Sequence, residues 1–394
     1  MKKTFPLIQN NINKSDLDQI IRYLMAPSEK IKLTAGKKVR LFEEKWSKWL
    51  GTKYSIMVNS GSSANFLTIK YLESKFPKGS EIIVPPFTWN SDIISILDSG
   101  FVPIFCDIQL ENLGLNPNLI EEKISKKTIA IFLTHAQGFN AITSKIINLC
   151  KKYKLYLIED VCESHGAKFN QKKLGSIGDI SNFSFYYAHH MSTIEGGMIS
   201  TNNKKIYQTI KMMRGHGLLR EVGDVKFQKE VINRNKDLNP QFIFQTKGYN
   251  MRSTELNAII GLNQLKSLNK NIKIRNSNHN LFLSLLNPEI FFTNFDLNGS
   301  SNYAFNLILK EKNDKLMEKI KNNLDKNKIE YRVGSAGGGN QLRQPYLKNL
   351  FKKKYHEKFK ITEHIHFYGM YIGNHPLLLK KDVKFITSVI NDSI

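Results

Sequence analysis

The chain has 394 residues, 41% of them apolar, enough for one large domain with its own core and a smaller one beside it. Its 58 Lys and Arg against 34 Asp and Glu give a formal net charge of +24, but the lysines are scattered, residues 310–328 and 352–360 included, so the excess reads as a solvated surface and no nucleic-acid partner is expected. No apolar run approaches the roughly 20 residues of a membrane span, and the opening Met1-Lys-Lys-Thr-Phe-Pro lacks the apolar stretch of a signal peptide, so a cytoplasmic protein without a membrane partner is expected.

Along the chain, short β-rich apolar runs alternate with helical stretches, the pattern of an α/β protein with a mainly parallel sheet covered by helices. The expected strands are 81–84, 102–107, 129–134, 155–159, 182–186 and 197–201. Several end near a residue suited to chemistry, which fits ligand binding beyond the carboxyl ends of the strands. Residues 31–265 read as the large domain and 266–394 as a smaller C-terminal one. Residues 1–30 are expected to pack with the latter. Cys106, Cys150 and Cys162 have neither disulfide-framework nor metal-ligand spacing, so reduced thiols and no metal are expected.

The first local feature is Asn59-Ser-Gly-Ser-Ser-Ala-Asn65 before an apolar helical run at 66–72. Glycine allows a tight entry, and the following amides and hydroxyls open a helix N-terminus that can bind an anion or merely be capped. A strand then runs through Pro85-Pro86 to Trp89, whose indole can stack on a planar ring or join the core. At 155–160 an apolar strand delivers Glu159 and Asp160, followed by Glu163 and His165. The segment Phe183-Ser-Phe-Tyr-Tyr-Ala-His-His-Met-Ser-Thr-Ile-Glu-Gly-Gly197 carries Ser184, His189 and His190. Further on, His216 and His375 stand in glycine-containing loops, and Gly337-Gly-Gly339 reads as a mobile loop.

These segments, with Thr34-Ala-Gly-Lys-Lys-Val, Phe42-Glu43, Gly178-Asp179 and Gly248-Tyr-Asn-Met-Arg252, stand in the order found in the fold-type-I pyridoxal-phosphate (PLP) enzymes of the DegT/StrS-type sugar aminotransferase superfamily. The resemblance covers nearly the whole length. It implies a large domain with a mainly parallel seven-stranded sheet and a smaller α+β domain. Aligned on Glu195-Gly-Gly197, His189 stands at the family's Schiff-base lysine, and no lysine lies between Lys173 and Lys204. An imidazole can shuttle protons but cannot form the tether. A histidine here, between Ala188 and His190, resembles the nucleotide-sugar 3-dehydratases. The 61–65 turn, Thr88-Trp89, Gly339-Asn340, Arg343-Gln-Pro-Tyr346 and Tyr371-Ile-Gly-Asn374 are similar to the branch that acts on GDP-4-keto-6-deoxy-D-mannose. His165 is the exception and looks like the aminotransferase branch.

The resemblance implies pyridoxamine phosphate (PMP) or PLP as cofactor, a nucleotide-linked 4-keto-6-deoxy sugar and glutamate as substrates, and a homodimer with shared sites. His189 is implied as the base. Gly61, Ser62, Ser63 and Ser184 are implied at the cofactor phosphate, with Asn250 reaching it from the neighbouring subunit. Asp160 is implied at the ring nitrogen, Trp89 on the ring and Glu163 near its phenolic oxygen. His165, His190, His216, Arg252, Asn340, Arg343 and His375 are the candidate substrate contacts. An iron-sulfur cluster, which a second kind of 3-dehydratase uses, needs about four thiolates, so none is expected. Two alternatives stand beside this one: an aminotransferase lacking the lysine, and a pseudoenzyme that binds cofactor without turnover.

Overall fold

A computed structural model describes residues 3–28 and 31–394. Residues 1, 2, 29 and 30 of the expected N-terminal segment lie outside the described residues. The strands in chain order are β1 (Tyr54–Val58), β2 (Glu81–Val84), β3 (Val102–Phe105), β4 (Thr128–Thr134), β5 (Tyr156–Asp160), β6 (Lys168–Phe169), β7 (Lys172–Lys173), β8 (Ile180–Ser184), β9 (Gly197–Thr201), β10 (Ala304–Ile308), β11 (Tyr331–Val333) and β12 (Gly369–Gly373). Seven of them form the main sheet in the order β1-β9-β8-β5-β4-β2-β3. β2, β3, β4, β5 and β8 pair in parallel, while β9 runs against both β8 and β1. β5 is central, with its carboxyl end on the same edge as those of β4 and β8.

Both faces of this sheet are covered, because alternate residues of a strand point to opposite sides. In β4, Ile131 and Leu133 join a core with Phe42, Trp46 and Phe183. Ala130 and Phe132 join the opposite core with Leu67, Ile69 and Ile82. The helix Lys37–Leu50 supplies much of the first core, yet its N-cap is Gly36, which has no side chain to cap it. Glu255 does so instead, its carboxylate accepting from the backbone N–H groups of Gly36, Lys38 and Val39, each at 2.9 Å. A negative group at a helix N-terminus also favours the helix dipole.

The smaller sheet, β10-β12-β11, is antiparallel and packs on the helices Asp314–Lys326 and Lys380–Asn391 through Phe305, Leu307, Ile320 and Ile386. Near the N-terminus, Phe5 bridges to Ile329, and Leu7 N–H donates to Glu330 at 2.8 Å. The helix Lys14–Leu24 instead lies on Glu255–Leu285. That helix, 31 residues long, runs through residue 265, where the sequence suggests a boundary, and so links the two sheets as one rod. Among the described residues no helix is long and apolar enough to cross a membrane.

A second link fixes the small sheet over the edge of the large one. Asp107, just past β3, accepts from Ile361 N–H at 3.0 Å, Thr362 N–H at 3.2 Å and the Thr362 hydroxyl at 2.7 Å. These groups open the helix Lys360–Tyr368, which leads straight into β12. Asp107→Ala leaves these buried donors without their charged acceptor. A loss of about 2 kcal/mol is expected, read as a lower midpoint in chemical denaturation.

Candidate active site

A cavity of about 660 Å³ opens at the carboxyl edge of the large sheet and is closed on its other side by the small domain. Its floor begins with the helix Gly61–Glu73. The Ser60 side chain caps this helix, accepting from Ser63 N–H at 3.0 Å and donating to the Ser63 hydroxyl at 2.9 Å. Gly61 and Ser62 face the cavity, and Ser63 is not among the residues that line it. A Cβ on Gly61 would lie 2.6 Å from the Cβ of Ser184, and one on Gly197 would lie 2.3 Å from the Ser60 carbonyl oxygen. The missing side chains let β8, β9 and this helix start converge, giving first-turn N–H groups and two serine hydroxyls around one anion-sized place.

Asp160, the last residue of β5, is 4% exposed. One carboxylate oxygen accepts from Cys162 N–H at 2.8 Å, the other from the Asn65 side-chain amide at 3.0 Å. Trp89, 55% exposed, stands at the rim. Glu163 accepts from Gln137 N–H at 2.8 Å. Burial outweighs that bond and pushes its carboxyl up to about 7.

His189 lines the cavity between Tyr186 and Tyr303, with ring centroids 6.0 and 5.8 Å away. Its Nδ1 has no protein partner. Its carbonyl accepts from the Asn11 side chain at 2.8 Å, so the N-terminal segment pins the loop that carries it. Burial pushes the imidazole down to about 4, against the opposing charge of Asp160 and with the help of Arg275. The ring is therefore neutral at pH 7 and free to accept a proton. Among the described residues that line the cavity none is a lysine.

The remaining candidates lie elsewhere. His165 is fully buried against Trp46, Phe183 and Phe185, and neither ring nitrogen has a partner. His190 is buried with Nε2 3.1 Å from the Ser301 carbonyl. The two rings sit behind His189 as packing and do not line the cavity. His216, Asn250 and Arg252 share another loop cluster: His216 N–H donates to the Tyr249 carbonyl, and Arg252 pairs with Glu221 at 2.6 Å and donates to Asn250 at 3.2 Å. Asn250 thus lies off this chain's own cavity. Asn340 caps its own turn and donates to Glu363 at 2.7 Å, which also holds Arg343 at 2.6 Å over the Phe367 ring. Both residues buttress the wall from behind. His375 faces a separate chamber of about 10 Å³ with Arg275 and Asn374.

The small domain contributes Arg332, which the sequence reading missed, and Tyr371, which stood there only within the motif Tyr371-Ile-Gly-Asn374. Arg332 and Tyr371 line the cavity, the guanidinium 3.4 Å from the Tyr371 hydroxyl. Arg332 forms no ion pair with a carboxylate among the described residues and is the one cation on the lining. Gly337 and Gly338, in positive-φ turns, complete the roof. The electrostatics of Glu163 give a signed expectation. Its folded pKa, raised from 4.5 to about 7, means the folded state binds the proton more tightly, so stability falls as pH rises between those values. Glu163→Gln should remove that fall, and thermal midpoints of the two proteins across pH 4.5 to 8 should diverge with the variant the more stable at the alkaline end.

The sequence matches the DegT/DnrJ/EryC1/StrS aminotransferase family over residues 15–391. It is 29% identical to the GDP-4-keto-6-deoxy-D-mannose 3-dehydratase of Yersinia pseudotuberculosis, the match covering 98% of each chain. Among solved structures it is similar to the E. coli GDP-4-keto-6-deoxy-D-mannose-3-dehydratase with bound hydrated PLP, with a TM-score of 0.87 and 29% identity over 99% of this chain and 100% of that one. It is also similar to a GDP-4-keto-6-deoxymannose-3-dehydratase with a trapped PLP-glutamate geminal diamine, with a TM-score of 0.86 and 28% identity over 98% of this chain and 100% of that one. The fold, a mostly parallel sheet of seven strands between helices, is that of the fold-type-I PLP-dependent aminotransferases. The chain belongs to the DegT/DnrJ/EryC1/StrS aminotransferase family.

Proposed function

We propose that this chain is a PMP-dependent nucleotide-sugar 3-dehydratase, acting in the cytoplasm on GDP-4-keto-6-deoxy-D-mannose to give a 3-deoxy-4-keto sugar, with glutamate restoring the amine of the cofactor. The observation that carries the reading is a neutral imidazole, His189, at the floor of a cavity whose lining holds no lysine. A tether is impossible there, whereas proton transfer is not.

The residues present fit PMP. The N-terminus of the helix Gly61–Glu73, with Ser62 and Ser184, suits a phosphate. Asp160 suits a protonated ring nitrogen, and Trp89 at the rim suits the ring face. When bound, PMP supplies an amine for the C4 ketone of the sugar and an electron-accepting ring. His189 takes up the proton that must leave before the C3 oxygen can, and returns it to that oxygen as it departs. Arg332, the unpaired cation on the small-domain wall, suits the negative charge of the nucleotide or of glutamate. A homodimer accommodates Asn250, whose loop lies off its own cavity and can serve the partner's phosphate site.

Incubating the purified protein with PLP, glutamate and nucleotide-linked 4-keto-6-deoxy sugars, with mass spectrometry of the products, tests this. Loss of the C3 oxygen with release of ammonia is expected. A stable amino sugar would instead make the chain a lysine-free aminotransferase. His189→Asn should abolish dehydration while leaving the cofactor bound, and His189→Lys should allow a covalent PLP adduct trapped by borohydride. Full activity in the asparagine variant would remove His189 as the base.

A further inference from the structure

Asp160 has a neighbour that the cofactor chemistry does not require. Asp92, in the first turn of the helix Asn90–Asp98, is wholly buried. One of its carboxyl oxygens accepts from the Asn65 side-chain amide at 2.6 Å, and the same nitrogen reaches Asp160 at 3.0 Å and the Ser91 hydroxyl at 3.0 Å. The other oxygen meets the hydroxyls of Thr88 and, at 3.0 Å, Thr134, and those two hydroxyls are 2.7 Å from each other. Asp92 and Asp160 thus meet at one nitrogen, the side-chain amide of Asn65.

An amide nitrogen has two protons to give, and here it faces three acceptors, two of them carboxyl groups. Among the described residues neither aspartate forms an ion pair. The other titratable groups near Asp92 are the Cys162 thiol and the Tyr346 hydroxyl, both pushed up by burial and so neutral at pH 7. Two carboxyl groups that share one amide donor, one of them sealed from water and neither beside a cation, disfavour a second negative charge. Asp160 faces the cavity and has a backbone N–H of its own, from Cys162. Asp92 is sealed beneath it, where burial and then the charge of Asp160 both push its carboxyl up.

We infer that Asp92 holds a proton beneath Asp160, so that the pair presents a single negative charge to the cavity. Asp92 is then a positioning residue: it sets the charge of Asp160 through a shared proton without touching a ligand. In the function proposed above, on which this last step rests, the ring nitrogen meets one carboxylate charge, and a proton waits beside it out of reach of solvent.

The proton can be seen without cofactor or substrate, so the test stands apart from the activity assay. Infrared spectra of the cofactor-free protein at neutral pH, with and without aspartate labelled with carbon-13 at the side-chain carboxyl, should show the C=O stretch of a protonated acid that shifts with the label. The labelling keeps Glu163 silent. Asp92→Asn should delete that band. Thr134→Val, which removes one hydrogen-bond partner of the same carboxyl, should move it in a protein that keeps both aspartates. Absence of a label-sensitive band, or its survival unshifted in whichever of these variants folds, overturns the assignment.

Discussion

The site depends on a carboxylate taken out of water at the end of the central strand. Asp160 has to be solvated by the protein, and the groups that do so decide what surrounds it. The turn after β5 tightens so that Cys162 N–H reaches one oxygen, and the helix Gly61–Glu73 is set so that Asn65 reaches the other. Once that helix is placed by Asn65, its N-terminus opens on the same cavity. The anion-sized place and the buried carboxylate are therefore consequences of one packing solution. The two ends of a flat ligand that is negative at one end and basic at the other would meet opposite electrostatics there.

The small domain matters because it converts an open strand edge into an enclosed space. Arg332, Tyr371 and the Gly337-Gly338 turn reach the cavity only because Asp107 and the helix Glu255–Leu285 hold the small sheet over it. Enclosure in turn keeps the imidazole of His189 neutral, since burial is the main force lowering its proton affinity. A fully solvated histidine near its ordinary pKa of about 6.5 would be partly charged at neutral pH and to that extent unable to act as a base.

Much of this was legible in the sequence. β2 and β9 occupy the runs 81–84 and 197–201 where alternation and turn residues place them. The residues flanking strand ends, Trp89, Asp160, Glu163, Ser184 and His189, converge on one cavity, because a parallel sheet brings those ends together whatever their separation in the chain. β1 (Tyr54–Val58) was not among the expected strands, and its pairing with β9 is a contact between distant segments. Arg332 escaped, and Tyr371 stood only within a motif, because nothing local marks a residue on a second sheet as a wall of the first sheet's cavity. His165 and His190 show the opposite failure. Their type suggests chemistry, but both rings are turned into the core, His165 after β5 and His190 next to the cavity-lining His189. Asn340 and Arg343 carry polar groups used up locally, by a cap or by Glu363, which composition cannot distinguish from groups left free.

Exchange of a lysine for a histidine changes more than the reacting group. A lysine would tether a cofactor by a covalent bond, so other contacts would need only to orient it. With His189 in that place, residence would rest wholly on non-covalent contacts, and the groups proposed for these stand at separate points of the lining: the helix N-terminus with Ser62 and Ser184, the carboxylate of Asp160, and the indole of Trp89. Three separated contacts would fix both position and tilt of a planar ring, which one bond with free rotation would not. The exchange also leaves no cation on the floor of the cavity, where a protonated lysine would have offset Asp160. A second ionised carboxylate beneath Asp160 would then be opposed by nothing nearby. The absence of the lysine is thus itself a reason for Asp92 to keep its proton.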